Sequence, residues 1–167
     1  QFHHQPFAFF ANYADGTYAK AQHLLDETDF ITAAQNGTLP SVSFVKPLGL
    51  YNEHPGYSDV TDGETHAVQL INDVLNGPNG KDAVIIVTYD ENGGFWDHVA
   101  PPLIDPKWGP GTRVPAIIIS PFAKQGFVDH TQYETVSILS FIEQRWGLTP
   151  LSTRDKNATP LTNAFNF

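Results

Sequence analysis

The chain has 167 residues, 41% of them hydrophobic, and a formal net charge of −9. That length supports a domain with a core of its own, and the acidic balance, with no Lys/Arg cluster, excludes nucleic acid or an anionic membrane as the main partner. No apolar run approaches the ~18 residues of a membrane span, and the absence of cysteine excludes disulfides and thiolate metal sites.

The first residues, 1–13, are rich in aromatics and carry His3-His4 before Gln5-Pro6. Proline disfavours helix at the residue before it, so a loop or extended segment is expected there. With no methionine at position 1 and no signal-peptide pattern, a chain opening on QFHHQPFAFF reads as the continuation of an upstream part. Residues 28–37 form a short helix in this reading, with Thr28 or Asp29 as N-cap and Gly37 as stop. Residues 41–45 alternate toward a strand that Pro47 ends, and the loop 48–59 follows with Asn52, Glu53, His54, Pro55 and Gly56. Ala67, Val68, Ile71, Val74 and Leu75 make a helical stripe over 67–75, with Asp62 and Glu64 suited to its first turn and Gly77-Pro78 closing it. His23 and His66 read as surface positions.

Residues 83–87 are an apolar, β-branched run without polar alternation, the pattern of a strand covered on both faces. Strand, helix and strand in this order predict a βαβ unit with a parallel pair. The strand stops at Tyr89. Asp90 and Glu91 follow at once, then Asn92, Gly93 and Gly94. Ligands in open α/β sheets sit just beyond the carboxyl ends of strands. Adjacent carboxylates repel, and a hard divalent cation between them satisfies both. Asp-Glu-Asn-Gly-Gly is also the composition of an ordinary solvated turn, but Phe95, Trp96, Asp97 and His98 then add an aromatic wall, another carboxylate and an imidazole.

Residues 101–112 are a Pro/Gly-rich loop, and 114–120 a second apolar strand with Pro115 near its start. Thr131 and Glu134 fit a capping box for a helix that ends at Trp146, with Ile138, Leu139, Ile142 and Trp146 as its buried stripe and Gly147 as its stop. Residues 148–167 are expected to be a tail that docks Phe165 and Phe167 on the body. No repeat or linker divides the chain, so 1–167 is read as part of one domain.

The block YDENGGFWDHVAPP resembles the signature of the bacterial phosphoesterase family that unites respiratory-burst-inhibiting acid phosphatases with phosphatidylcholine-type phospholipases C, within the alkaline phosphatase superfamily. FHHQPFAFF, GTLPSVSFVKP, NEHPGYS, the segment from GTRVPAIIISPFAKQGFVDH to FIEQRWGL, and NAFNF are similar to family segments in family order. The resemblance implies an α/β fold, this chain being the C-terminal portion of an alkaline-phosphatase-like catalytic domain with a largely parallel sheet and helices on both faces. It implies hydrolysis of phosphate monoesters of the acid phosphatase type through a phosphoryl-enzyme intermediate, with a phospholipase C-type phosphodiesterase, or a non-catalytic module binding a divalent cation or an anion, as alternatives.

On the same resemblance, Asp90 and Glu91 are metal ligands, and their oxygens favour Ca, Mg or Mn over Zn. His54 contacts the phosphate or protonates the leaving oxygen, and His4, favoured over His3, is a second such contact. His98 either reaches the same pocket or holds Asp97 in place; His130 is structural; Arg113 either steers an anionic substrate or makes a salt bridge. The family's nucleophile and a further Glu-Asn ligand pair match nothing in this chain, so a small phosphate-ester substrate and the N-terminal portion of the same protein are the expected partners. A periplasmic or secreted bacterial location follows from the same resemblance.

Overall fold

The computed structural model describes residues 4–167. The chain divides into two compact units, the first ending at Ala83 and the second running Val84–Phe167. His3 lies outside the described residues.

The first unit is helical. Two 3-10 turns, Pro6–Phe9 and Ala11–Tyr13, occupy the segment expected to be loop or extended. Helix α1, Tyr18–His23, is capped by Thr17, whose hydroxyl accepts from the Lys20 N–H at 3.2 Å. Its six polar-rich residues carry no apolar stripe that would mark it in the sequence. Helix α2, Glu27–Asn36, starts earlier than expected because Asp29 is not its cap but the third residue of a capping box, accepting from the Asp26 N–H at 3.0 Å. Gly37 ends it in the left-handed conformation, φ 72°. Helix α3, Val60–Asn76, is capped by Asp59, which accepts from the Asp62 N–H at 2.8 Å. It packs on α2 around Ala34, Leu70 and Val74, whereas Val68 and Leu75, assigned to the buried stripe from sequence, are exposed. His66, expected at the surface, is instead half-buried, bonded to Glu27 at 2.8 Å and stacked on Tyr51 at 4.6 Å.

Residues 42–48 form no strand. Pro40 and Pro47 bracket the segment, and an extended run so bounded finds no pairing partner among the described residues.

The second unit holds the sheet. Strand β1, Ile85–Thr88, pairs antiparallel with β2, Ala116–Ile119, in the register Ile85 to Ile119 and Thr88 to Ala116. The parallel pair expected from a βαβ unit, 41–45 beside 83–87, does not form, because 41–45 is not a strand. β1 pairs instead with β2 across a link that contains no helix, whereas parallel strands need a long crossover, usually helical. Nor are both strands covered on both faces, since Ile117 is 57% exposed. The fold is mixed α/β with a small two-stranded sheet.

Helix α4, Val136–Trp146, packs on the sheet through Phe141, with Leu161, Ala164 and Phe165 completing the core and Ile86, Ile118 and Ile138 against it. The Phe141 and Phe165 rings stack at 5.2 Å. Phe165 docks as expected; Phe167 stacks on it at 5.0 Å yet stays exposed. The Thr131–Glu134 capping box does not form. The Thr131 N–H bonds Asp129 at 2.9 Å, and the Glu134 carboxylate accepts from Arg154 Nε at 2.9 Å, tying the start of α4 to α5, Thr153–Asn157. The most deeply buried residues of α4 are Ser137, Ser140, Phe141 and Glu143; of the expected stripe, Ile138 packs against the core, Leu139 and Ile142 are half-buried and Trp146 is exposed. Small serines let the tail approach closely, and Ser140 donates to the Ala158 carbonyl at 3.2 Å.

Two buried acids meet between α4 and α5. Burial, and Asp155 beside it, push the Glu143 carboxyl above its ordinary range. Asp155 is held down to about 2, mainly by the Ser152 hydroxyl and further by Glu143 and the Leu151 N–H. The raised Glu143 contributes stability below its ordinary pKa that is lost as pH rises through its raised value. Asp155 contributes stability above its ordinary value that is lost as pH falls toward about 2. Thermal melting of Glu143→Gln should therefore lose much of the decline in Tm that the unmodified protein shows above the usual carboxylate range. Parallel Tm profiles for the two proteins would show that Glu143 does not titrate with folding.

Candidate functional site

The acid pair sits where β1 leaves the sheet. Asp90 and Glu91 are exposed, in a bend directly after Tyr89. The chain then turns tightly, the Phe95 N–H donating to the Asn92 carbonyl at 2.7 Å. Gly93 and Gly94 have φ of 56° and 84°, left-handed conformations at both central positions, a pattern that glycine adopts without steric cost. The Gly93 N–H donates to Glu91 Oε2 at 2.6 Å, so one carboxylate oxygen is fixed by the turn it precedes.

Asp97 anchors the far side of this loop. It accepts from the Val99 N–H at 2.9 Å and from Arg113 Nε at 2.6 Å, and these two, the Val99 N–H first, hold its carboxyl below the usual range. Arg113 thus makes the salt bridge that was one of its two sequence readings. His98 is exposed, its ring 5.6 Å from that of Trp96. His130 is exposed as well.

In the first unit, His4 is half-buried in a 3-10 turn and His54 is exposed at the head of a turn. The Tyr57 N–H donates to the His54 carbonyl at 3.0 Å, the His54 ring lies 4.7 Å from that of Tyr57, and its Nδ1 is 2.8 Å from the Pro55 carbonyl oxygen. A carbonyl only accepts, so Nδ1 carries the proton and Nε2 is the nitrogen presented to solvent. Sequence reasoning missed Glu53 and Gly63 beneath this loop. The available signal was a glycine placed where a helix should prefer alanine.

The oxygens of Asp90 and Glu91 are hard donors of the kind a divalent cation such as Ca, Mg or Mn takes. Among the described residues, no group of three His, Asp or Glu side chains gathers as a ready-made cage.

The chain belongs to the Phosphoesterase family, which matches residues 2–149. It is 32% identical to the non-hemolytic phospholipase C of Burkholderia pseudomallei over 80% of this chain and 24% of that protein. It is 33% identical to phospholipase C B of Mycobacterium tuberculosis over 83% of this chain and 32% of that protein. Similarity to the non-specific phospholipase C6 of Arabidopsis thaliana is 28% over 84% of this chain and 32% of that protein. The chain thus spans between a quarter and a third of the length of these curated relatives. No helix among the described residues is long and apolar enough to cross a membrane.

Proposed function

We propose that this chain supplies part of the active site of a phosphoric ester hydrolase of the phospholipase C type, which cleaves a phosphodiester on the side of the glycerol oxygen. The observation that carries the reading is the exposed Asp90–Glu91 pair at the end of β1 on its Gly93–Gly94 turn, in a chain whose relatives are named phospholipase C. In this reading Asp90 and Glu91 would hold Ca, Mg or Mn, which would supply Lewis-acid polarisation of a phosphoryl oxygen. With a proton on each ring nitrogen, His54 donates the one on Nε2 to the leaving oxygen, while its Nδ1–H stays on the Pro55 carbonyl and fixes the ring. His4 and His98 add contacts to the phosphate oxygens. The attacking hydroxyl comes from a further part of the same protein, and residues 1–167 belong with that part to one α/β catalytic domain with a more extensive, largely parallel sheet. The enzyme works in the periplasm or outside the cell.

The test is a pair of assays on the whole polypeptide, one with a choline phosphodiester and one with a chromogenic phosphomonoester, each with and without chelator. Preferential, chelator-sensitive turnover of the diester supports the reading. Preference for the monoester assigns the acid phosphatase type instead, and turnover of neither makes the chain part of a binding protein. His54→Asn should lower kcat by about 100-fold while KM changes little, as expected for a proton donor acting in the transition state. An unchanged kcat would remove His54 from the reaction.

A further inference from the structure

Glu53 has φ of 61°, the one non-glycine residue with a left-handed backbone among the described residues. That conformation is unfavourable for a glutamate, and such outliers persist only where their surroundings impose them. Here the surroundings are specific. Ser58 Oγ accepts from the Glu53 N–H at 2.8 Å, and Asn52 Oδ1 accepts from the His54 N–H at 3.0 Å. The Glu53 side chain lies on Gly63, a buried residue in the first turns of α3. A Cβ at Gly63 would fall 2.1 Å from Glu53 Cγ and 2.7 Å from its Oε1, far inside contact distance. Glycine within a helix is itself unfavourable relative to alanine. Two residues that each break a local rule therefore meet one another, and their meeting point is the residue before His54. Agreement of local preferences with the fold is normal in natural sequences, and paired violations mark places where function is held.

We propose that Glu53, seated on Gly63, is a positioning residue: its left-handed backbone and packed side chain fix the turn in which the His54 ring bonds the Pro55 carbonyl through Nδ1 and presents Nε2. The proposal rests on the assignment of His54 to phosphoester hydrolysis. It accounts for the glycine in α3 and for the strained glutamate with one contact.

The experiment uses the whole polypeptide with 15N-labelled histidine. Three variants, Gly63→Ala, Glu53→Gly and the double substitution, are compared by the ring-nitrogen signals of His54 and by kcat and KM on the diester. Gly63→Ala should mix the His54 tautomers and lower kcat by about 100-fold, the loss typical of an ångström-scale misplacement, with little change in KM. Glu53→Gly keeps the left-handed turn accessible but unpins it, and should show a smaller loss of the same kind. The double variant should resemble Glu53→Gly, because both substitutions act through one contact. An unchanged His54 spectrum in Gly63→Ala, or strictly additive losses in the double variant, overturns the proposal. Ring signals that shift while kcat holds would support the positioning and instead overturn the catalytic assignment of His54.

Discussion

Replacing Asp90 by alanine in the whole enzyme is expected to cut turnover by about 100-fold or more while leaving the fold intact. Asp90 is exposed beyond the end of β1 and contributes nothing to the core around Phe141, Leu161, Ala164 and Phe165. The substitution therefore leaves that core intact, and a thermal melt reads whatever the interactions of Asp90 itself contribute. In the proposed site Glu91 would then be the single carboxylate left, with one of its oxygens also accepting from the Gly93 N–H at 2.6 Å. A site reduced to one partly engaged carboxylate binds a divalent cation weakly, so higher concentrations of Ca, Mg or Mn should recover part of the lost activity. Steady-state kinetics across a metal titration, with a thermal melt as control, give the answer. Near-normal turnover of Asp90→Ala at low metal would remove the acid pair from the chemistry.

What the sequence made legible was local. Gly37 and Gly147 end their helices in the left-handed conformation, and the apolar runs at 83–87 and 114–120 became β1 and β2. The acid pair and its Gly-Gly turn were legible for the same reason: a tight turn is written in the residues that make it. The partner of β1 was not legible: 41–45, bracketed by Pro40 and Pro47, forms no strand, and the pairing with β2 depends on the path of residues 89–115 between the strands rather than on the strands themselves. The most buried positions of α4 were missed in part because, Phe141 apart, they are polar. Ser137, Ser140 and Glu143 give no hydropathy signal, and their burial follows from partners far along the chain, Ala158 and Asp155. The start of α3 was placed too late because Gly63 and the polar residues around it mask the first two turns. That same glycine is what accommodates Glu53, so the weakest helical signal in the segment coincides with the contact beneath His54.

Residues 1–167 on their own are expected to show at most residual phosphoesterase activity and to self-associate. Large apolar side chains stand exposed in both units, Phe44 at 76% in the first and Leu103 at 87%, Leu151 at 82% and Phe95 at 71% in the second, and exposed apolar surface of that kind marks interaction or aggregation. The free edges of β1 and β2 add unpaired backbone groups, which favour strand addition or aggregation. The relatives' greater length is consistent with further polypeptide covering this surface. With the attacking hydroxyl in a further part of the protein, as proposed, residues 1–167 alone would retain only what binding and electrostatics provide. Light scattering on the purified chain, and diesterase assays with and without the rest of the polypeptide, measure both consequences. A monodisperse monomer of 18.4 kDa with full activity would place the attacking hydroxyl within these residues and show that the exposed apolar surface needs no partner.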